Sequence, residues 1–301
     1  MSESVVIESE KYWGENLVTC YCCGAKTAST GDCWHCHMPM AISDSAAARG
    51  VRPQFIPILG GSGAGKTVYI GMLLDMLSKG NHEISGQPNN SFSLAVQQET
   101  MAALERRRFP DKTVVESDEW NWVHCEVESK EKKRSKHPLD LVAPDLAGEA
   151  MVMELDHPGS FPIIKTCVTQ ASGVVLLIDA LKARDCGTDE DLLATKIAAY
   201  IFCNAPKQGK HRKNIGVPIA ITFTKTDMCD EAAADPETYA KHNLPGFYAY
   251  AERNLPKREF FAASAVGCVS KVNDQYGDYC VPLHVQPIGI IEPLTWLVSH
   301  S

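Results

Sequence analysis

Phe55-Ile56-Pro57-Ile58-Leu59 runs into Gly60-Gly61-Ser62-Gly63-Ala64-Gly65-Lys66-Thr67 and on into Val68-Tyr69-Ile70-Gly71-Met72-Leu73-Leu74-Asp75-Met76-Leu77. An apolar run with strand chemistry, a glycine-rich turn and a helical apolar pattern follow without a break. The turn fits G-x-x-x-x-G-K-[ST] in the strand-to-helix setting that gives this motif meaning. Glycines let the backbone curl so that several N–H groups point inward at phosphate oxygens, and the helix adds the positive end of its dipole. Gly60, Gly61, Ser62, Gly63, Ala64 and Gly65 therefore form the expected cradle. Lys66 is expected on the β and γ phosphates, and the Thr67 hydroxyl on Mg²⁺.

Outward from this stretch, apolar runs alternate with helical patterns, which predicts a doubly wound α/β domain. Strands are expected at 54–59, 120–128, 138–143, 173–179, 217–224 and 259–263. Helices are expected at 66–77, 93–107, 189–203, 246–254 and 288–298. The run GVVLLID (173–179) and VPIAITF (217–223) are almost wholly apolar, as central parallel strands should be. Val123, Cys125 and Val127 alternate with His124, Glu126 and Glu128, which predicts an exposed edge, paired with Leu139 onward through the charged run 130–136. The fold class is thus a P-loop NTPase with a mostly parallel six-stranded sheet, one antiparallel edge hairpin and flanking helices.

Three later segments sit at strand ends. Asp145-Leu146-Ala147-Gly148-Glu149 follows LDLVA; its first acid can hold Mg²⁺, and Gly148 lets an N–H approach the γ-phosphate. Thr224-Lys225-Thr226-Asp227 ends the apolar run 217–223. The Asp227 carboxylate can accept from guanine N1–H and N2–H₂, donors that adenine lacks there, while the Lys225 stem packs on the base. Ser264-Ala265 follows FFAA and can set a backbone N–H against guanine O6.

The ordered series GGSGAGKT, DLAGE, TKTD and SA resembles the phosphate, Mg²⁺ and guanine boxes of Ras-like GTPases in the translation-factor-related class. The likeness covers most of 54–301. With the N-terminal cysteines it is similar to the bacterial double-GTPase families, predicted members of multi-gene conflict or stress-response systems. The resemblance implies GTP and GDP as ligands, Mg²⁺ on Thr67, Asp145 and a switch threonine, and a regulatory or effector protein partner. Thr113, in Phe109-Pro110-Asp111-Lys112-Thr113, is the switch candidate; switch II would span Ala147 to about Pro162, with His157-Pro158-Gly159 a mobile loop. Lys66, Thr113, Gly148 and Glu149 are the expected catalytic set. Two departures stand out: Thr224 where Asn is usual, and Glu149 where many relatives carry Gln. The acid's charge near the γ-phosphate predicts slow hydrolysis, with an arginine from a partner as accelerator. An ATP-using P-loop enzyme and a non-hydrolysing nucleotide-bound scaffold are the competing readings.

Residues 1–48 read as a separate segment, 49–301 as the nucleotide-binding domain, with the Ala/Ser-rich 42–49 a linker or short helix. Cys20-x₂-Cys23-Gly24 and Cys33-x₂-Cys36 are two ligand pairs nine residues apart. They predict a closed four-thiolate Zn²⁺ ribbon, structural because no coordination position is open. Cys22, His35 and His37 are alternative ligands with poorer spacing. Tyr21 and Trp34 are candidates for packing against the other domain or a partner. Cys125, Cys167 and Cys203 are expected in the core, and the runs 130–136 and 207–213 as solvated loops. Asp179 is expected to cap the loop after its strand.

The 301 residues carry 29 Lys+Arg against 37 Asp+Glu, a net charge of -8, which argues against nucleic acid as partner. The apolar runs fall short of the roughly 20 residues that cross a bilayer, and the start lacks signal-peptide chemistry. A cytoplasmic protein without membrane contact is expected.

Overall fold

The computed structural model describes residues 17–50, 53–116, 120–129, 139–208, 214–274 and 277–300. The charged run 130–136, most of 207–213 and the acidic start lie outside them. The chain forms two compact units, Met1–Pro53 and Gln54–Ser301.

The first unit holds β1 (Leu17–Thr19) antiparallel to β2 (Lys26–Ala28), followed by helix α1 (Met40–Arg49). Its small core gathers Cys22, Met38, Met40, Ile42 and Ala46. The Ala/Ser-rich stretch is the body of this helix, closed by Gly50 in the left-handed conformation.

In the second unit the strands are β3 (Gln54–Phe55), β4 (Ile58–Gly60), β5 (Ile84–Pro88), β6 (Trp122–Ser129), β7 (Leu139–Pro144), β8 (Val174–Asp179), β9 (Lys207–Gln208), β10 (Asn214–Ile215), β11 (Ile219–Thr224), β12 (Arg258–Ala262), β13 (Cys268–Asp274) and β14 (Gly277–His284). The helices are α2 (Lys66–Lys79), α3 (Ser91–Glu105), α4 (Gly148–Asp156), α5 (Pro162–Thr169), α6 (Ala180–Asp185), α7 (Thr188–Asn204), α8 (Asp230–Ala234), α9 (Pro236–Asn243), α10 (Pro245–Asn254) and α11 (Glu292–His300).

Parallel strands β12-β11-β8-β4 make one sheet, and β3-β7-β6-β5 the other. β3 and β4 are one run of chain interrupted at Pro57, which has no N–H to give a neighbour. Val175 N still donates to Pro57 O at 3.1 Å and Ile56 N to Val142 O at 3.1 Å, so the run joins the two sheets. β6 is antiparallel to β7 on one side and to β5 on the other.

The expected edge strand is therefore interior. β5 covers it, and His124 and Cys125 are buried. Ile84-Ser85-Gly86-Gln87-Pro88 is poor in strand formers, which hid this strand from pattern reading; its proline sits at an edge-strand end, where the missing donor is tolerated. A seventh position thus extends the expected six. The antiparallel hairpin β13–β14 is likewise additional. The last helix begins at Glu292 rather than Ile288, because Ile288 is taken into a bridge with Ser264. Cys125 and Cys167 are buried, but Cys203 is exposed on α7, correcting its assignment to the core.

β8 and β11 are buried along their whole length. Val175, Leu177 and Ala220 pack with Ile70, Leu74, Leu294 and Leu297 of α2 and α11. Side chains alternate across a strand, so Leu176, Ile178, Ile221 and Phe223 take the other face. There Phe223 meets Tyr239 of α9 edge-on at 5.2 Å. Burying both faces explains why these runs read as continuous apolar stretches. Among the described residues no helix is long and apolar enough to cross a membrane.

Helices α2 and α3 approach closely at Gly71. A Cβ there would lie 2.1 Å from Thr100 Oγ1 and 2.5 Å from Thr100 Cβ. Gly71→Ala should gain helix propensity, about 1 kcal/mol, yet lose more to overpacking, about 1–3 kcal/mol. A lower urea midpoint at unchanged slope is the expected result; an equal or higher midpoint would contradict the close contact.

Candidate nucleotide site

β4 ends at Gly60 and α2 begins at Lys66, with Gly65 at φ 81° turning the chain into the helix. The first N–H groups of a helix have no intrahelical partner, so this turn presents donors to the cleft. Lys66 lies beneath the turn, 7% exposed. Its Nζ donates to Gly60 O at 3.1 Å and Gly61 O at 3.0 Å. Burial pushes this ammonium from 10.5 down to about 8, against the pull of Asp145 and Glu149, with Lys182 adding to the depression.

Beside it three oxygen groups from three segments converge. Thr67 Oγ1 is 2.7 Å from Thr113 Oγ1 and donates to Asp145 Oδ1 at 3.3 Å; Thr113 Oγ1 donates to Asp145 Oδ2 at 3.1 Å. Asp145 is buried, which raises its pKa, while the two hydroxyls and Lys66 pull it back. A buried carboxylate with two hydroxyls is the oxygen donor chemistry that suits Mg²⁺.

Gly148 opens α4 against the phosphate turn. A Cβ on it would lie 2.6 Å from Gly61 O, Ser62 N and Ser62 Cα, so no other residue fits. The next residue, Glu149, accepts a short hydrogen bond from Ser62 Oγ and has Lys112 Nζ 3.8 Å away. The Ser62 hydroxyl first, then Lys112 and Lys66, hold its carboxyl below the usual range. The 157–159 turn is not a free loop. The carboxylate of buried Glu154 accepts from Gly159 N at 3.1 Å, Phe161 N at 2.8 Å and the Tyr200 hydroxyl at 3.1 Å, and that fixes it.

At the other end of the cleft, Thr224 Oγ1 donates to Ala64 O at 2.9 Å and lies 3.3 Å from Ile178 O, tying β11 to the phosphate turn. Lys225 stands in the left-handed region at φ 59° with its Nζ on Asp179 Oδ2 at 2.5 Å. Asp179 also caps α6 through Leu181 N and Lys182 N. Ser264 Oγ is directed at Asp227 Oδ1, 2.7 Å away, and at the Val266 carbonyl. Ser264 and Ile288 exchange two backbone bonds of 2.8 Å, which pins the Ser264-Ala265 turn. Asp227 Oδ2 is enclosed and finds no hydrogen-bond partner among the described residues. Lys66, Thr67, Thr113, Glu149, Asp227 and Ala265 all border one cavity of about 390 Å³, walled on one side by Val269 and Cys280 of the β13–β14 hairpin. Lys112, Lys182 and the hairpin wall were not singled out from sequence. Lys182 follows a strand-terminal acid, the one pattern that could have drawn attention to it.

In the first unit the Sγ atoms of Cys20, Cys23, Cys33 and Cys36 all lie within 4.8 Å of one another. Cys20–Cys36 is 3.6 Å and Cys23–Cys33 3.5 Å. A tetrahedral ion with bonds of about 2.3 Å needs ligands roughly 3.8 Å apart, so the cluster could hold zinc. Each knuckle folds alike: Gly24 N donates to Cys20 O at 2.9 Å and His37 N to Cys33 O at 2.8 Å, both at positive φ. Burial pushes the Cys23 thiol up to about 12, and a hydrogen bond with Cys36 together with burial raises Cys20. A dication would reverse both. Cys22, His35 and His37 stand outside this group of four. Trp34 is 68% exposed, its indole donating to Lys26 O at 3.2 Å.

The depression of Lys66 has a stability consequence. Between about pH 8 and 10.5 the unfolded chain holds a proton that the folded chain has released, so folding stability rises with pH across that window. Below it the buried charge costs about 3 kcal/mol, at roughly 1.4 kcal/mol per tenfold change in proton affinity. Lys66→Met should therefore melt higher than wild type at pH 7, the gap closing towards pH 10.5. A variant that melts lower at pH 7 would show the ammonium to be a net stabiliser.

The sequence matches the family described as Double-GTPase 1 over residues 57–199. No curated protein matches it. Among solved structures, a nucleolar GTP-binding protein 1 from Plasmodium falciparum is similar at 12% identity and TM-score 0.36, covering 82% of this chain and 85% of that one. The signal recognition particle receptor complex from Chaetomium thermophilum is similar at 14% identity and TM-score 0.40, covering 72% and 92%. A Roco2 fragment from Methanosarcina barkeri bound to GDP follows at 13% identity and TM-score 0.34, covering 69% and 42%. Residues 57–199, just under half of the chain, are thus similar to the double-GTPase type of P-loop GTPase, and that stretch holds the phosphate turn, Thr113, Asp145 and Gly148.

Proposed function

We propose that this protein is a Mg²⁺-dependent guanine-nucleotide switch that hydrolyses GTP slowly and signals to a protein partner, with a structural Zn²⁺ in its N-terminal unit. The observation that carries the guanine assignment is Asp227 Oδ2, an enclosed acceptor without a donor at the edge of the cleft. Ser264 occupies the other carboxylate oxygen and fixes its orientation. Guanine N1–H and N2–H₂ supply the missing donors; adenine offers an acceptor at N1 and nothing at C2. A buried acceptor left unpaired costs about 1–3 kcal/mol, so this site discriminates against ATP. That favours the guanine reading over an ATP-using enzyme.

At the phosphate end, Lys66 exchanges the Gly60 and Gly61 carbonyls for β and γ oxygens. Thr67, Thr113 and Asp145 would hold Mg²⁺, which supplies charge neutralisation on the β and γ phosphates. In this reading Gly148 N–H is a donor to the γ-phosphate. Thr113 and Gly148 thus report its presence from two segments, the physical basis of a switch. The segment 109–114 carries exposed Phe109 and Val114, surface that a partner could read. Hydrolysis is slow because Glu149, held ionised by Ser62 and Lys112, places negative charge beside the γ-phosphate. The conflict or stress-response setting follows from the family resemblance.

Two measurements test this reading. Titration with fluorescent GTP and ATP analogues in Mg²⁺ should show strong guanine preference, which Asp227→Asn reduces at least 10-fold, as loss of about 1.5–3 kcal/mol per charged hydrogen bond requires. Equal binding of both purines by wild type would overturn it. Metal analysis should find one zinc per chain, removed by strong chelator or by Cys36→Ser; a protein free of zinc, or a Cys36→Ser variant that retains it, would refute the ribbon.

A further inference from the structure

Lys182 occupies a position that guanine recognition and Mg²⁺ binding leave unexplained. β8 runs parallel beside β4, so the helix that follows it, α6, starts next to the phosphate turn. Asp179 caps α6 and orients its first turn. From there Lys182 reaches back over the turn. Its Nζ donates to Ser62 O at 2.6 Å and stands 3.8 Å from where a Cβ on Gly63 would be. Asp179 and Asp185, each three residues away in sequence, are both engaged, the first by Lys225 and two helix N–H groups and the second by Arg184. Buried Glu190 feels the Lys182 charge, yet among the described residues no carboxylate lies within ion-pair distance of Lys182. Two ammonium groups, Lys66 from below and Lys182 from outside, thus flank one glycine-rich turn, and they repel each other. An anion between them relieves that repulsion.

The place within the turn is specific. Gly148 packs on Gly61 and Ser62, and Glu149 hydrogen-bonds the Ser62 side chain, so the 62–63 segment lies at the γ end of the cradle. During hydrolysis, water adds to Pγ and the bond from Pγ to the β–γ bridging oxygen breaks. Its electron pair stays on that oxygen, now part of GDP, and the water proton leaves with the released phosphate. Negative charge grows on the bridging oxygen, and a cation aimed there binds the transition state better than the ground state.

We propose that Lys182 is this cation, swinging from the Ser62 carbonyl onto the β–γ bridging oxygen, so that the chain supplies from α6 the positive charge that an arginine from a partner would otherwise bring. The assignment rests on the GTP-hydrolysis reading above, and the test separates the two. GTP and GDP affinities are measured first, then single-turnover hydrolysis and uptake of aluminium fluoride by the Mg²⁺·GDP complex, all without a partner. Wild type should bind aluminium fluoride alone. Lys182→Met should keep GDP and GTP affinities while losing aluminium fluoride uptake and about 10²-fold in single-turnover rate, the usual size for one transition-state donor; Lys182→Arg should restore both.

An unchanged rate in Lys182→Met overturns the assignment. So does an equal loss of GDP and GTP affinity, which would mark Lys182 as a clip on Ser62. A wild type that binds GTP but neither hydrolyses it nor takes up aluminium fluoride overturns Lys182 and leaves guanine recognition standing. A wild type that binds no guanine nucleotide overturns both.

Discussion

A lysine ammonium enclosed beneath a glycine turn at the positive end of a helix is the constraint on which the second unit turns. Lys66 is buried where the α2 macrodipole already contributes positive potential. Two backbone carbonyls, Gly60 and Gly61, are its direct acceptors. Neutral carbonyls compensate a buried charge only in part, as the lowered proton affinity of the group shows. Such a place is strained when empty and relaxed by a polyanion. The central strands β8 and β11, buried on both faces, are what allow it: they form a rigid floor that can hold an unfavourable turn in position.

The two ends of the cleft are built differently. At the base end, backbone bridges and a β-strand terminus fix the readers. Ser264 is paired with Ile288, and Thr224 is fastened to Ala64. At the phosphate end Thr113 arrives on a segment without regular secondary structure, and its hydroxyl contacts with Thr67 and Asp145 anchor it there. Few buried contacts and side-chain tethers mark the low-stability end of a fold. Reading the base needs a fixed geometry; sensing the γ-phosphate needs one that can be gained and lost. The division follows from which loops have a strand to lean on.

Much of this was legible because the informative residues sit at strand ends, where a one-dimensional pattern carries three-dimensional meaning. The turn before Lys66, Asp145, Asp227 and Ser264 each follow an apolar run, and parallel strands bring such ends to one edge of the sheet. What escaped had no such marker. Strand β5 contains glycine, glutamine and proline, so its pairing is decided by β6 rather than by its own preference. The His157-Pro158-Gly159 turn has loop composition, yet a buried glutamate from the preceding helix satisfies its amides. Lys182 meets Ser62 across 120 residues, a proximity that only the β4–β8 pairing creates.

Thr224 shows why a departure from a motif must be judged by contacts rather than by residue name. Its hydroxyl reaches Ala64 O at 2.9 Å, which joins the base-side strand to the phosphate turn. The bridge between loops is therefore present with a shorter side chain. An asparagine would offer further donors, and the threonine, its one hydrogen given to a carbonyl, has no donor left to direct at a nucleotide. In the proposed complex, side-chain discrimination of the base then falls on Asp227, oriented by Ser264 through one oxygen while the other finds no donor among the described residues. Selectivity concentrated in a single carboxylate depends strongly on how firmly that carboxylate is held, and so the Ser264–Ile288 bridge belongs to nucleotide recognition although neither backbone touches the nucleotide through it.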